Sequence, residues 1–300
     1  MKFWTCLVVC SVGSLAHASF EMLLVTDYDS TQPSGSISSV QRYDPMTGAY
    51  LGSFGKGLMN DGAAGIALDT ASNRAYIAQF GSSTVQVWDY NTGVLLNEWV
   101  CNSNPFQIAR LASGNLLIGG GSSASIYTAT GSFVSNLEVS GGVYGVATDG
   151  SNMLVTNGIA IRSYNSAGVL QASVSESTNY TLTIRGGRVY WGTASGGVSM
   201  RSRSATTLGG FTSQSVGALS SGVYLPTAFG HASTLYTSGT LTGGTSAGIA
   251  RFNVLTGASS SFGAGIVHDA RGMAIVLAPE PGSWVALGLG AIALMRRRRK

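Results

Sequence analysis

One phrase recurs along the chain: a strand ending in an aromatic residue, a turn carrying Thr-Gly or a relative, then another alternating strand. It runs Tyr43-Asp44-Pro45-Met46-Thr47-Gly48, then Trp88-Asp89-Tyr90-Asn91-Thr92-Gly93. It returns at Tyr127–Gly131, Tyr164–Gly168 and Phe252–Gly257, and in a degenerate form near Arg203–Gly210, where the aromatic is missing. Glycine permits the positive φ that such tight turns need, and Asp or Asn caps them through side-chain hydrogen bonds. A chain built this way cannot form one large sheet or a helical bundle. It must stack similar small units.

A second phrase alternates with the first: a short apolar strand, a turn and another strand. Examples are Gly65-Ile66-Ala67-Leu68-Asp69 with Ala75–Ala78, Phe106–Ala109 with Asn115–Ile118, and Tyr144–Ala147 with Met153–Val155. Leu182–Ile184 with Arg188–Trp191 and Thr227–Phe229 with Thr234–Tyr236 follow the same plan. From Gly65, Gln107, Gly145, Thr183, Thr227 and Met273 the spacings are 42, 38, 38, 44 and 46 residues. Four strands in ~40–45 residues is the blade of a β-propeller. The last copy, Gly272–Val276, has no second strand after it, while the body starts with an orphan second strand, Met22–Thr26. Pairing of these two ends closes the ring and removes the open sheet edge. The expectation is an all-β fold over residues 19–278: a six-bladed propeller closed by its N- and C-terminal strands, flanked by a signal peptide and a C-terminal hydrophobic helix.

Composition agrees with short strands and tight turns. Charged residues are 10% and Gly is 42 of 300. The formal charge of +4 comes from the ends: without Lys2 and the five terminal cations, 11 bases stand against 13 acids. Nothing argues for a nucleic-acid partner. Cys6 and Cys10 lie in the N-terminal apolar segment, so Cys101 is the only cysteine of the body and no intramolecular disulfide can form after processing.

Met1–Ala18 reads as a secretory signal handed to the Sec translocon. Lys2 gives a positive start, Phe3–Leu15 is mainly apolar, and Ala16-His17-Ala18 is an A-x-A-like cleavage site, so the mature chain would start at Ser19. Leu7-Val8-Val9-Cys10 is not a lipobox, because Val9 is too large and the apolar run before it too short.

The other end has three parts in order: Pro279-Glu280-Pro281, an uncharged apolar run from Trp284 to Met295, and Arg296, Arg297, Arg298, Arg299 and Lys300. As a helix the 12-residue run covers roughly 18 Å, short of the ~30 Å hydrocarbon core, so it suits a thin span with snorkelling arginines. The basic block stays cytoplasmic by the positive-inside rule. This order of parts resembles the PEP-CTERM sorting signal of Gram-negative bacteria. The resemblance implies an inner-membrane-anchored precursor, processing by an exosortase near the Pro-Glu-Pro box, and delivery to the cell surface or exterior, often beside extracellular polysaccharide and biofilm. A plain anchor with a stop-transfer block has the same parts, and it too places the body outside the cytoplasm.

The Gly-Ile-Ala-Leu-Asp phrase loosely resembles NHL-type and YVTN-type propellers, which implies architecture and no activity. Gly244-Thr245-Ser246-Ala247-Gly248 matches the nucleophile pattern G-x-S-x-G but leads into a strand, not a helix. Asp27-Tyr28-Asp29-Ser30-Thr31 begins like a calcium loop, yet Gln32 and Ser38 hold the positions that need Gly and Glu, so it reads as a capped turn. Gly119-Gly120-Gly121 has no following helix to bind an anion. His231 and His268 are the only histidines of the body, and no cluster has metal-ligand spacing. In a propeller the connections into the innermost strands crowd one face. Asp61, Asn104, Asn179, His268, Asp269 and Arg271 are expected there as a candidate binding face. Tyr43, Trp88, Tyr127, Tyr164 and Phe252 hold equivalent positions, which points to packing between blades and not to a sugar platform. The expected role is non-enzymatic binding or scaffolding outside the cell, without metal or cofactor, with polysaccharide the partner suggested by the tail. The alternative is a lactonase- or lyase-like propeller enzyme working in the channel.

Overall fold

The computed structural model describes residues 21–29, 37–59, 62–101, 104–139, 141–176, 182–191, 199–210, 212–215, 227–230, 234–238, 248–263 and 266–276. The signal segment with Ala16 and Ala18, the tail Pro279–Lys300, Asp61, Asn179, His231 and Gly244–Ala247 lie outside the described residues. Met22–Val276 form one compact unit. Among the described residues no helix is long and apolar enough to cross a membrane.

Six four-stranded antiparallel sheets make the unit. Blade 1 holds β1 (Met22–Asp29), β2 (Ile37–Tyr43) and β3 (Tyr50–Met59). Blade 2 holds β4 (Ala63–Asp69), β5 (Arg74–Gln79), β6 (Thr84–Asp89) and β7 (Val94–Val100). Blade 3 holds β8 (Pro105–Arg110), β9 (Leu116–Gly120), β10 (Ser123–Tyr127) and β11 (Phe133–Leu137). Blade 4 holds β12 (Gly145–Thr148), β13 (Asn152–Thr156), β14 (Ala160–Asn165) and β15 (Leu170–Ser175). Blade 5 is β16 (Thr183–Arg185), β17 (Arg188–Trp191), β18 (Ser199–Ser204) and β19 (Thr212–Ser215). Blade 6 is β20 (Thr227–Phe229), β21 (Thr234–Ser238), β22 (Ile249–Asn253) and β23 (Ser259–Phe262). The last strand, β24 (Ala270–Val276), pairs with β1 through Met22↔Val276 to Thr26↔Gly272 and completes blade 1. The expected six-bladed ring closed by its two ends is therefore what the chain forms. Each innermost strand, β24, β4, β8, β12, β16 and β20, touches the next around the ring.

The repeated turn has the expected chemistry. The Met46 and Thr47 amides donate to Asp44 Oδ1 (2.8 and 3.0 Å), and the Asn91 and Thr92 amides to Asp89 Oδ1 (2.9 Å each). Asn165 and Asn253 accept in the same way. The closing glycines Gly48, Gly93, Gly131, Gly168 and Gly257 all have φ between +73° and +94°, and in the degenerate blade-5 copy Leu208 takes the closing position with φ of +51°.

The aromatic at the end of the third strand fills the seam to the preceding blade. Tyr43 meets Phe262 (5.6 Å between ring centroids), Trp88 meets Phe54 (5.5 Å) and Tyr127 meets Trp99 (5.3 Å). Tyr43, Trp88, Tyr164 and Phe252 are at most 1% exposed. Arginines one residue earlier reach the next blade: Arg251 donates to the Pro45 and Met46 carbonyls, Arg42 to those of Tyr90 and Asn91. On β8, Gln107 bridges three blades. Its Oε1 accepts from the Val146 amide (2.8 Å) and its Nε2 donates to the Leu182 carbonyl (3.3 Å).

Candidate functional site

In a four-stranded antiparallel blade the outermost strand ends on the face where the next innermost strand begins. All blade connections therefore emerge on one face, together with the C-terminal end of β1 and the start of β24. There Asp27 is the organising residue. It is 2% exposed, and its Oδ1 accepts from the backbone amides of His268 (2.8 Å) and Asp269 (2.9 Å). His268 Nδ1 lies 3.2 Å from Asp27 Oδ2, and the imidazole is 47% exposed. A buried carboxylate thus orients a half-exposed imidazole across the seam where the ring closes. Tyr28 also binds this segment, donating its amide to the Asp269 carbonyl at 3.0 Å.

Two further groups complete the cluster. Arg271 Nε donates to Asp269 Oδ2 (3.0 Å), and its guanidinium stacks 3.9 Å from the centre of the Tyr28 ring. The first described residue of the connection into blade 2, Gly62, packs beside them: a Cβ there would lie 3.5 Å from Arg271 Nη1 and 3.8 Å from Tyr28. Of the six candidate residues, His268, Asp269 and Arg271 come together. Asn104 stands on the seam between blades 2 and 3, exposed, where its Oδ1 accepts from Ser83 (2.8 Å).

Asp27 corrects the reading of Asp27–Thr31. Asp27 to Asp29 is neither a calcium loop nor a capped turn but the end of β1, and the Asp27 carboxylate is consumed by the β24 connection. The pairing joins residues 241 positions apart, so nothing local in the sequence announces it.

Asp27 and His268 line a cleft of about 160 Å³ between blade 1 and the connection into β24. Ser39, Gln41 and Tyr50 from β2 and β3 continue its wall. Their hydrogen bonds form a chain: Tyr50 donates to Gln41 Oε1 (3.0 Å), and Gln41 Nε2 to Ser39 Oγ (2.9 Å). Tyr43 lies behind, on the same side of β2. Burial, with the Asp27 charge as a second cause, raises its phenol above the ordinary tyrosine range.

The innermost strands themselves carry little ionisable chemistry: Asp69, Arg110, Arg185 and Arg271. Asp69 and Arg110 pair with each other at 3.2 Å. Among the described residues no three His, Cys, Asp or Glu groups converge to hold a metal ion.

The fold and its seams define a closed six-bladed β-propeller, similar at the level of fold to NHL- and YVTN-type propellers. The propeller carries a PEP-CTERM protein-sorting motif at its end: the family model of that description matches residues 277–300. Such a motif implies exosortase-dependent export from a membrane-anchored precursor. No curated protein matches the chain. Among solved structures, a chain of a nidogen/laminin complex superposes with a TM-score of 0.68 at 13% identity, over 86% of this chain and 99% of that one. A chain of the hydrazine synthase of Kuenenia stuttgartiensis gives 0.52 at 12% identity, over 72% of each. One comes from a protein complex and the other from an enzyme, so the shared fold assigns no activity.

Proposed function

We propose that this protein is an exported, non-catalytic binding or scaffolding propeller of the cell surface or extracellular matrix, associated with exopolysaccharide and biofilm in a Gram-negative cell. The observation that carries the proposal is the sorting motif at residues 277–300 on a closed propeller. The order of events follows from the ends. The Sec translocon takes Met1–Ala18, with cleavage after Ala18. Trp284–Met295 holds the precursor in the inner membrane with Arg296–Lys300 on the cytoplasmic side. An exosortase then processes the chain near Pro279-Glu280-Pro281, leaving residues 19–278 as the working domain.

On the propeller, the face formed by His268, Asp269 and Arg271, joined in the proposal by Asp61, Asn104 and Asn179, is the binding face. Polysaccharide suits it: side-chain amides, an imidazole, carboxylates and a guanidinium stacked on an aromatic ring offer dense hydrogen bonding. A channel enzyme is the competing reading, and the observation favouring it is the oriented Asp27–His268 pair.

The test is the intact mass of the protein recovered by fraction from its host, with and without the exosortase gene. The expected result is a mass near Ser19–Pro281 in the medium or matrix, and a mass running to Lys300 in the membrane of the exosortase-deficient strain. A chain extending to Lys300 in the membrane of both strains overturns the sorting reading. Turnover of a lactone or polysaccharide that is abolished by His268→Ala would move the assignment to the enzyme.

A further inference from the structure

The cleft between blade 1 and the connection into β24 has a feature that no repeat explains. The outermost strands β7, β11, β15 and β23 have 4 to 7 residues, whereas β3 has 10. The excess is an excursion. Ser38 pairs with Met59 but Val40 pairs with Phe54, so β3 spends five residues where β2 spends two. Gly55 and Gly57 lie inside the excursion with φ of +79° and +82°, the left-handed region that glycine enters without Cβ strain. Between them stands Lys56, the only lysine between Lys2 and Lys300. Blade 2 pins the excursion: Gln86 Nε2 donates to the Leu58 carbonyl at 2.9 Å. The result places Lys56 on the wall of the cleft, together with Ile266 and His268.

The two opposite charges of the lining, Asp27 and Lys56, are not paired with each other. Asp27, the one acid of the lining, is already met by two backbone amides and by His268. Among the described residues Lys56 has no carboxylate within salt-bridge distance. Lys56 is thus the exposed, unpaired cation of the lining, while its anion, Asp27, is buried behind the bonds it already accepts. The rest of the lining is amide, hydroxyl and imidazole, with Ile37 and Ile266 as its apolar parts. At roughly 30 Å³ per water the cleft of about 160 Å³ equals about five waters, the volume of a bare six-membered ring, so the substituents of a larger ligand extend to its open side. Ser39, Gln41 and Tyr50 already bond one another, and an aromatic ligand would desolvate their remaining donors and lone pairs and the Ser53 hydroxyl without replacing those partners. A polyhydroxylated ring satisfies them and presents its C–H faces to the isoleucines and to Tyr50.

We propose that this cleft binds a single acidic pyranose unit, a uronic acid, with its carboxylate on Lys56 and its hydroxyls on the Ser39–Gln41–Tyr50 chain and His268. This rests on the polysaccharide reading above and narrows it to an acidic polymer. The test uses the full chain in detergent, with D-glucuronate, D-glucose and acetate as probes. Acylation of Lys56, followed by peptide mapping that separates it from Lys2 and Lys300, should be slowed by glucuronate. By calorimetry glucuronate should bind at least about tenfold more tightly than glucose, the worth of one charge-assisted hydrogen bond. Lys56→Gln should abolish that preference, and Lys56→Arg should retain it within about threefold.

The proposal is overturned if acetate protects Lys56 as well as glucuronate does, if glucose binds equally, or if no probe binds. Capture of the host's own polymer keeps the two readings separable. Capture unchanged in Lys56→Gln would leave polysaccharide binding standing and remove the cleft from it.

Discussion

The seam between blades 2 and 3 and the seam between blades 4 and 5 solve one geometric problem with opposite chemistry. In the first, Tyr127 at the end of β10 stacks on Trp99 of β7, and Gly131 in the following turn lies so close that a Cβ would meet Trp99 Cγ at 2.5 Å. In the second, the aromatic position is Arg203, and its Nη2 lies 2.6 Å from Glu176 Oε1 of blade 4. Arg203 also donates to the Leu208 carbonyl at 2.9 Å. Around the pair, Ala205 and Leu208 pack against Ala172 and Val174, so the apolar contact survives at the margin. The turn of this seam closes on Leu208 with φ of +51°, and Gly210 beyond it has nothing within 4 Å of where a Cβ would stand. A closed ring must fill every seam, but it tolerates a charged filler where a partner across the seam neutralises it. The aromatic seam is held by burial, which salt does not screen. The ionic seam has side chains only 13–16% exposed and depends on both partners.

Four substitutions test that contrast. Tyr127→Ala empties the aromatic seam and should cost about 3–5 kcal/mol, read as a lowered urea midpoint. A loss below ~1 kcal/mol would mean the stack contributes little. Gly131→Ala adds overpacking against Trp99 to a φ of +94°, for about 2–4 kcal/mol in all. Gly210→Ala meets only its φ of +65° and should lose about 1 kcal/mol. Equal losses at the two glycines would mean that the Trp99 contact adds nothing to the cost at Gly131.

Glu176→Gln leaves Arg203 facing a neutral amide and should cost about 2 kcal/mol, between the exposed and buried limits for ion pairs. The double variant with Arg203→Gln should recover part of it. One molar salt, with its ~3 Å Debye length, should narrow the gap between wild type and Glu176→Gln and leave the Tyr127→Ala deficit unchanged. A salt-independent deficit at Glu176 would argue against an ionic seam.

The smallest effect concerns the turn caps that both kinds of seam share. The Thr92 and Asn91 amides hold the Asp89 carboxyl below the ordinary carboxylate range. A lowered folded value means the stabilisation is fully present above pH ~4 and is lost as pH falls through the folded value. Asp89→Ala should cost about 1 kcal/mol at neutral pH. Asp89→Asn keeps the acceptor and should remove this acid-dependent part. An unaltered acid profile in Asp89→Asn would exclude the carboxylate as its source.

Much of the fold is legible in the residues alone. The two recurring phrases locate all six blades, and the orphan strand at each end locates the closure of β24 on β1. The degenerate copy at Arg203 is visible as a missing aromatic, but its partner is not, because Glu176 belongs to another blade and reads as an ordinary polar residue. Asp27 misleads for a related reason: its neighbours Asp29 and Ser30 suggest a loop, while the groups that bind it come from residues 268 and 269. The excursion of β3 does leave a trace, Gly55-Lys56-Gly57 within a strand. Two glycines there signal a bulge, yet not which way it turns.

The division follows from range. Alternation, turn glycines and caps act within about ten residues, so the chain by itself determines its strands, its blade count, its ring closure and its sorting tail. Seams pair side chains from different blades, and burial decides which polar groups must find one another there. Only the assembled ring could set Glu176 against Arg203, orient His268 on Asp27, and bring the lone lysine of the propeller to the wall of a cleft.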